Sequence, residues 1–239
     1  MTPEYLLPAD EAARLRSLHY HAILHALNEA VFNELVQLTA QIFSLPISLI
    51  ALVDADETVY LANQGLANTP RQPRVEAICA LAVRENKPVV FPDLTRAQQQ
   101  LTAEAREAAQ AKNLQFYAGV PLRMPDQRTI GTLCVIDHRP RPFTTEEQAV
   151  LERISQLVAR TIVVRHYCLV EGLGEDHWQA VQALLVEEIG DLARYLNAHL
   201  AGQLPVPPQV LEPVMQRLAD LDQLLLDYHL GKKPLPPPA

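Results

Sequence analysis

Along the first 44 residues apolar positions recur at helical spacing. Leu15, Leu18, Ala22 and Leu27 lie near one face of residues 9–44. Val31, Leu35, Leu38 and Ile42 then repeat at i, i+4, i+7 and i+11 as one stripe. A break is expected near Asn28, a residue type that caps helices well, and Pro46 stops the second helix. Residues 46–53 are β-rich. The acidic turn Asp54-Ala55-Asp56 follows, and residues 57–63 return, so the segment reads as a β-hairpin. Residues 64–73, with Gly65, Pro70 and Pro73, read as a loop. Residues 75–85 are helical in pattern, with Ile78, Cys79 and Ala82 facing inward. Residues 87–91 form a short strand, and the Ala-, Glu- and Gln-rich residues 101–112 favour a helix.

Residues 115–124 and 129–137 make two further strands around the turn Pro125-Asp126-Gln127. Gly119 and Gly131 inside them allow a bulge or a close backbone approach, and Pro121 points to an edge or a bulge. Alternation puts Ile130, Thr132, Cys134 and Ile136 on one face, and Gly131, Leu133, Val135 and Asp137 on the other. Both faces are mostly apolar, so this strand is expected to be central, with helices on each side. Thr144-x-x-Glu147 is a capping box, and Val150, Ile154, Leu157 and Thr161 carry its stripe to about residue 167. After the linker around 171–174, two sets of apolar residues remain. One runs Trp178, Val181, Leu185, Ile189, Leu192, Leu196. The other runs Leu211, Val214, Leu218, Leu221, Leu225, Tyr228 with a/d spacing.

The pattern predicts an α+β fold, with a central antiparallel β-sheet, helices on both faces and a C-terminal α-helical hairpin. The expected organisation is a domain over 1–168, a linker over 169–174, a hairpin over 175–230 with a break near 202–208, and a disordered Pro-rich tail over 231–239.

Particular residues sharpen this into a resemblance. The stretch Leu45-Pro-Ile-Ser-Leu-Ile-Ala-Leu-Val-Asp54 is similar to the first strand of a GAF domain entering its acidic turn. Gln115-Phe-Tyr-Ala-Gly-Val-Pro-Leu122 and Ile130-Gly-Thr-Leu-Cys-Val-Ile-Asp137 resemble the FYAGxPL and GTLCVID strands of a bacterial GAF group. His138-Arg-Pro-Arg-Pro-Phe-Thr-Thr-Glu-Glu147 is similar to that group's lead into the closing helix. The resemblance covers residues 10–165. It implies a pocket between one sheet face and the loops of residues 64–75 and 92–113, where family members bind small molecules. The residues that would line it are Tyr60, Cys79, Phe91, Asp93, Tyr117 and Cys134. The competing reading is that these six simply fill a core.

Composition narrows the chemistry. Lys plus Arg total 20 against 28 Asp plus Glu, a formal charge of -8, and no basic run occurs. Nucleic acid and anionic membranes are therefore not expected partners. The three cysteines, Cys79, Cys134 and Cys168, form no CxxC or zinc spacing, which fits a reducing compartment. No apolar run is long enough to span a bilayer, and the start lacks the pattern of a signal peptide. A cytoplasmic location is expected. His21 and His25 at i and i+4 could share a metal, but no completing ligand is evident, so no metal and no cofactor is expected and a solvated or interfacial histidine face is the simpler reading. Asp54, Asp56 and Glu57 read as an acidic turn. Within the resemblance, the Asn-Lys-Phe-Asp-Glu motif of cyclic-nucleotide-binding members is absent. Cys79 is followed by Ala80 and Leu81 rather than the histidine of bilin-binding members. The cysteine pattern of methionine sulfoxide reductases is not visible. His177 and His199 lack the surroundings of phospho-acceptor histidines.

The expected function is thus a non-catalytic sensory or regulatory GAF protein in bacterial signal transduction, not an enzyme, binding a small molecule or a protein partner. Its helices would shift with the bound state, and it would act on a separate output protein. A homodimer through residues 145–168 and 175–230 would complete a four-helix bundle; the hairpin could instead fold back on its own domain. The alternatives are a small redox enzyme using Cys79 or Cys134, and an adaptor with a vestigial pocket.

Overall fold

A computed structural model describes residues 2–26, 29–67, 70–97, 99–200, 207–234 and 236. The N-terminal stripe resolves into two helices, α1 (Glu11–Tyr20) and α2 (Ala30–Phe43). Asn28 lies outside the described residues, and α2 is entered from Glu29 in an extended conformation. Val31, Leu35, Leu38 and Ile42 are all buried, as their spacing requires. Next come β1 (Ile47–Val53), β2 (Glu57–Gln64) and β3 (Arg71–Pro73). The third strand corrects the expected loop: Glu57, Thr58 and Val59 pair with Pro73, Gln72 and Arg71. A short edge strand tolerates a proline because it has a ladder on one side only.

Residues 75–85 also divide. A 3-10 turn at Arg74–Glu76 precedes α3 (Cys79–Glu85), followed by β4 (Val89–Phe91) and α4 (Ala103–Ala111). Thr102 caps α4: its hydroxyl accepts from Ala105 N at 2.9 Å and donates to Val75 O at 2.7 Å, tying α4 to the 3-10 turn. Strands β5 (Phe116–Arg123) and β6 (Thr129–Asp137) form the second hairpin, and α5 (Thr145–Leu169) opens with the expected capping box. Two more helices, α6 (Glu175–Leu200) and α7 (Pro208–His229), complete the chain. The break between them falls largely on residues 201–206, and the tail largely on 235 and 237–239. Both lie outside the described residues.

The strands make one antiparallel sheet in the order β3-β2-β1-β6-β5-β4. Strand β6 is interior, paired to β1 on one side and β5 on the other. Gly131 is required there, since a Cβ would lie 2.1 Å from Ala51 O across the ladder. Pro121 lies beyond the β4 ladder, which ends at Gly119. Its carbonyl accepts from Ser155 Oγ of α5 at 2.7 Å.

One strand position departs from simple alternation. The β5–β6 register passes from Leu122↔Gly131 to Arg123↔Thr129, leaving Ile130 as the extra residue of a bulge. Ile130 therefore packs with Leu122, Met124 and Leu133 and not with Cys134.

Two apolar cores result. The outer one lies between the sheet and α2 and α5, and continues into α6 and α7. Trp178, Val181, Leu185, Ile189, Leu192 and Leu196 of α6 are buried, as are Val214, Leu218, Leu221, Leu225 and Tyr228 of α7. Both stripes are thus covered within one chain. Gln41 Nε2 of α2 donates to Ala193 O at 2.9 Å, and Arg160 of α5 pairs with Asp222 at 3.3 Å. The inner core lies between the opposite sheet face and α3 and α4. Among the described residues no helix is long and apolar enough to cross a membrane.

Candidate functional site

On the inner face a cleft opens between the sheet, α3 and α4. Its cavity is small, about 30 Å³ accessible to the centre of a water molecule, within a depression of about 370 Å³ that includes open solvent at its mouth. Leu49 and Ile136 form its floor. Tyr60 and Tyr117 also line it from the sheet, Ile78 and Cys79 from the start of α3, and Ala105, Ala108 and Ala109 from α4, with Leu114 just beyond. Small alanines on α4 leave the gap that larger side chains would close. Gln72, Glu76 and Lys112 supply its polar groups, and Lys112 Nζ donates to Gln72 Oε1 at 3.0 Å.

The six residues singled out in the sequence are placed unevenly. Tyr60, Cys79 and Tyr117 line the cleft. Cys134 lies directly beneath, its Sγ 3.9 Å from Cys79 Sγ, and is fully buried. Phe91 packs on Tyr117 with ring centroids 6.4 Å apart, outside the cleft lining. Asp93 does not reach the cleft. Its carboxylate accepts from Thr95 N at 3.0 Å and Thr95 Oγ1 at 2.6 Å, and pairs with Arg96 at 3.1 Å, so it organises a turn. The cleft-lining Gln72, Glu76, Ala108 and Lys112 were not named from the sequence. Ala108 and Lys112 are signalled by the small-residue segment 101–112 and Gln72 by the loop 64–75 expected to cover the pocket, whereas nothing in the sequence singles out Glu76, just beyond that loop.

The chemistry around the two thiols is specific. Gly119 makes room for the Tyr117 phenol, because a Cβ at 119 would lie 2.3 Å from Tyr117 Oη. Tyr117 Oη and Thr132 Oγ1 are buried with no hydrogen-bond partner among the described residues. Burial pushes the Cys134 thiol and the Tyr117 and Tyr60 phenols up. Cys79 moves the other way. The contact with Cys134, 3.9 Å between sulfurs, outweighs its burial and lowers Cys79 to about 7.

The histidines and acidic turn serve structure. His21 is buried, not solvated: its Nδ1 lies 2.7 Å from Ser17 O, and its ring meets His166 of α5 at 5.5 Å between centroids. His19 pairs with Asp54 at 3.1 Å, and Glu57 with Arg71 at 2.6 Å.

An antiparallel sheet with helices on both faces and a cleft on the inner one defines an α+β class of domain. The GAF domain family matches residues 28–162, and the chain belongs to that family. It is also 30 % identical over 165 residues to a cyclic di-GMP phosphodiesterase of Pseudomonas aeruginosa, a match covering 67 % of this chain. The chain spans only about a quarter (27 %) of that relative's length. Similar solved structures include the GAF domain of an Acinetobacter phosphoenolpyruvate-protein phosphotransferase. It is 14 % identical, with 69 % of this chain and 97 % of that one covered and a TM-score of 0.48. A type II free methionine-R-sulfoxide reductase from Thermoplasma acidophilum is 19 % identical, with 53 % and 86 % covered and a TM-score of 0.45.

The expectation that the protein is not an enzyme is corrected by the Pseudomonas match. A relative sharing two thirds of this chain is itself named as a phosphodiesterase. The family does support the coarser expectation of a sensory or regulatory role.

Proposed function

We propose that the chain is a sensory and regulatory GAF unit of bacterial signal transduction that binds a small molecule in the inner cleft. The observation that carries this reading is the cleft itself. It combines an apolar floor with a few convergent polar groups, Gln72, Glu76, Lys112 and the two tyrosines, the mixture that small-molecule sites use. Its walls belong to different elements, so a bound molecule favours one spacing of α3, α4 and the sheet over another. The sheet carries that preference to α5, which packs on its opposite face and against α7. A homodimer through residues 145–168 and 175–230 would use the outer faces of these helices, since their inner faces are filled by their own chain.

The activity under control is cyclic di-GMP hydrolysis; support for this comes from the name of the Pseudomonas relative. Native mass spectrometry of the protein purified from its own host tests the sensing part. The expected result is a retained small molecule, and a bare polypeptide mass overturns it. A cyclic di-GMP hydrolysis assay on the same preparation tests the output.

A further inference from the structure

Cys79 and Cys134 are 55 residues apart in sequence, yet their sulfurs are 3.9 Å apart. Nothing in the ligand reading uses this juxtaposition. Cys134 is fixed in the middle of β6, the interior strand, whereas Cys79 opens the seven-residue α3 and lines the cleft. Both thiols are buried, Cys79 at 3 % exposure and Cys134 at 0 %, but only Cys79 lines the cleft and so borders the route by which a small oxidant would enter. Two orphaned hydroxyls, Tyr117 Oη and Thr132 Oγ1, lie in the same buried region. The glycine that admits the phenol, Gly119, shows that this placement is built into the strand.

We propose that Cys79 and Cys134 form a reversible disulfide when a hydroperoxide enters the cleft, making the inner face a thiol-based oxidant switch. In the first step the Cys79 thiolate attacks the terminal peroxide oxygen. The O–O bond breaks, the sulfur is oxidised to sulfenic acid, and the peroxide leaves as an alcohol, or as water from hydrogen peroxide, after taking up a proton. In the second step Cys134 sulfur attacks the Cys79 sulfur. The S–O bond breaks, the S–S bond forms, and the hydroxide leaves as water with the Cys134 proton. A bonded pair of sulfurs stands about 2.05 Å apart, so the thiols must close from 3.9 Å. Cys79 is the first residue of α3, so closure requires that end of the helix to shift toward β6. The bond would staple α3 to β6 and alter the cleft wall.

The neighbouring groups support the order of events. The lowered Cys79 thiol is the better nucleophile, and Cys134, raised by burial, is the resolving partner. The third cysteine supplies an internal control. Cys168 is buried on α5 in the outer core, and burial raises its thiol to about 11. The switch operates whether or not the cleft holds the ligand proposed above.

The test uses the full chain exposed to hydrogen peroxide, then denatured with an alkylating agent and mapped by peptide mass spectrometry. A peptide pair joined through Cys79 and Cys134, released by dithiothreitol, with Cys168 alkylated, is the expected product. In Cys134→Ser, dimedone should label Cys79. In Tyr117→Phe, removing the unpartnered hydroxyl that could turn to a Cys79 thiolate should slow oxidation about tenfold with the far-ultraviolet spectrum unchanged. Recovery of Cys79 and Cys134 as free thiols, or oxidation of Cys168 as fast as the pair, would overturn the proposal. The wild-type map decides the matter even if a variant fails to fold.

Discussion

Arg74 Nη1 donates to Glu11 Oε1 at 2.5 Å across 63 residues of chain, while Arg14 Nε donates to Oε2 of the same carboxylate at 2.8 Å. Both guanidiniums are buried, at 1 % exposure for Arg14 and 0 % for Arg74. Arg14 Nη1 also donates to Val53 O at 2.6 Å, so α1 is clamped onto the end of β1. Replacing Glu11→Gln leaves two buried cations with a neutral partner. The expected loss is about 2–3 kcal/mol at neutral pH, read from the urea unfolding midpoint.

The same carboxylate sets the acid limb of stability. Burial alone would raise Glu11, but hydrogen bonds from Arg14 and Arg74 overcome it and lower it from 4.5 to about 2. A depressed acid contributes fully above its unfolded value and loses that contribution as pH falls from 4.5 towards 2. Wild-type protein should therefore lose stability steeply in that window, and Glu11→Gln should lose less.

His166 should act at higher pH. Burial lowers it below 6.5, helped by His21, against the opposing pull of Glu171; Tyr20 and Arg165 also face it. The unfolded imidazole takes up a proton that the folded one resists. Stability is complete above 6.5 and declines as pH drops below it. His166→Gln should flatten this part of the profile, measured as thermal midpoints on either side of 6.5.

Gly131→Ala must separate β6 from β1, because the added carbon would sit 2.1 Å from a backbone oxygen. A loss of about 3 kcal/mol or more is expected. Thermal unfolding followed by circular dichroism checks it, and an unchanged midpoint would contradict the close approach.

Ala108→Phe should fill the cleft without touching the buried core, since Ala108 is half-buried on the cleft side of α4. Stability should change by less than about 1 kcal/mol, while any small molecule retained by the wild type should vanish from the native mass spectrum.

The sheet, both hairpins and the helical stripes were legible because burial follows period 2 or 3.6, as Val31, Leu35, Leu38 and Ile42 show. What pattern cannot register is a polar residue buried by a distant partner. Arg14, Arg74 and His21 resemble surface residues in sequence and are core in the fold. Edge strand β3 was missed because its pairing depends on β2, not on its own Arg71-Gln72-Pro73. Ile130 changed sides because a bulge is a property of two strands. For the site, Tyr60, Cys79 and Tyr117 were readable from the family strands, but Asp93 was assigned by position alone. A local turn claimed its carboxylate.

Hydrogen exchange by mass spectrometry, comparing protein as isolated from its host with protein stripped by unfolding and refolding, tests the link between cleft and helices most directly. The sensing account predicts slower exchange before stripping at residues 74–85 and 103–114, around the cleft, and a changed rate within 145–169. Identical exchange in both preparations, or a difference that stops at the cleft, would contradict it.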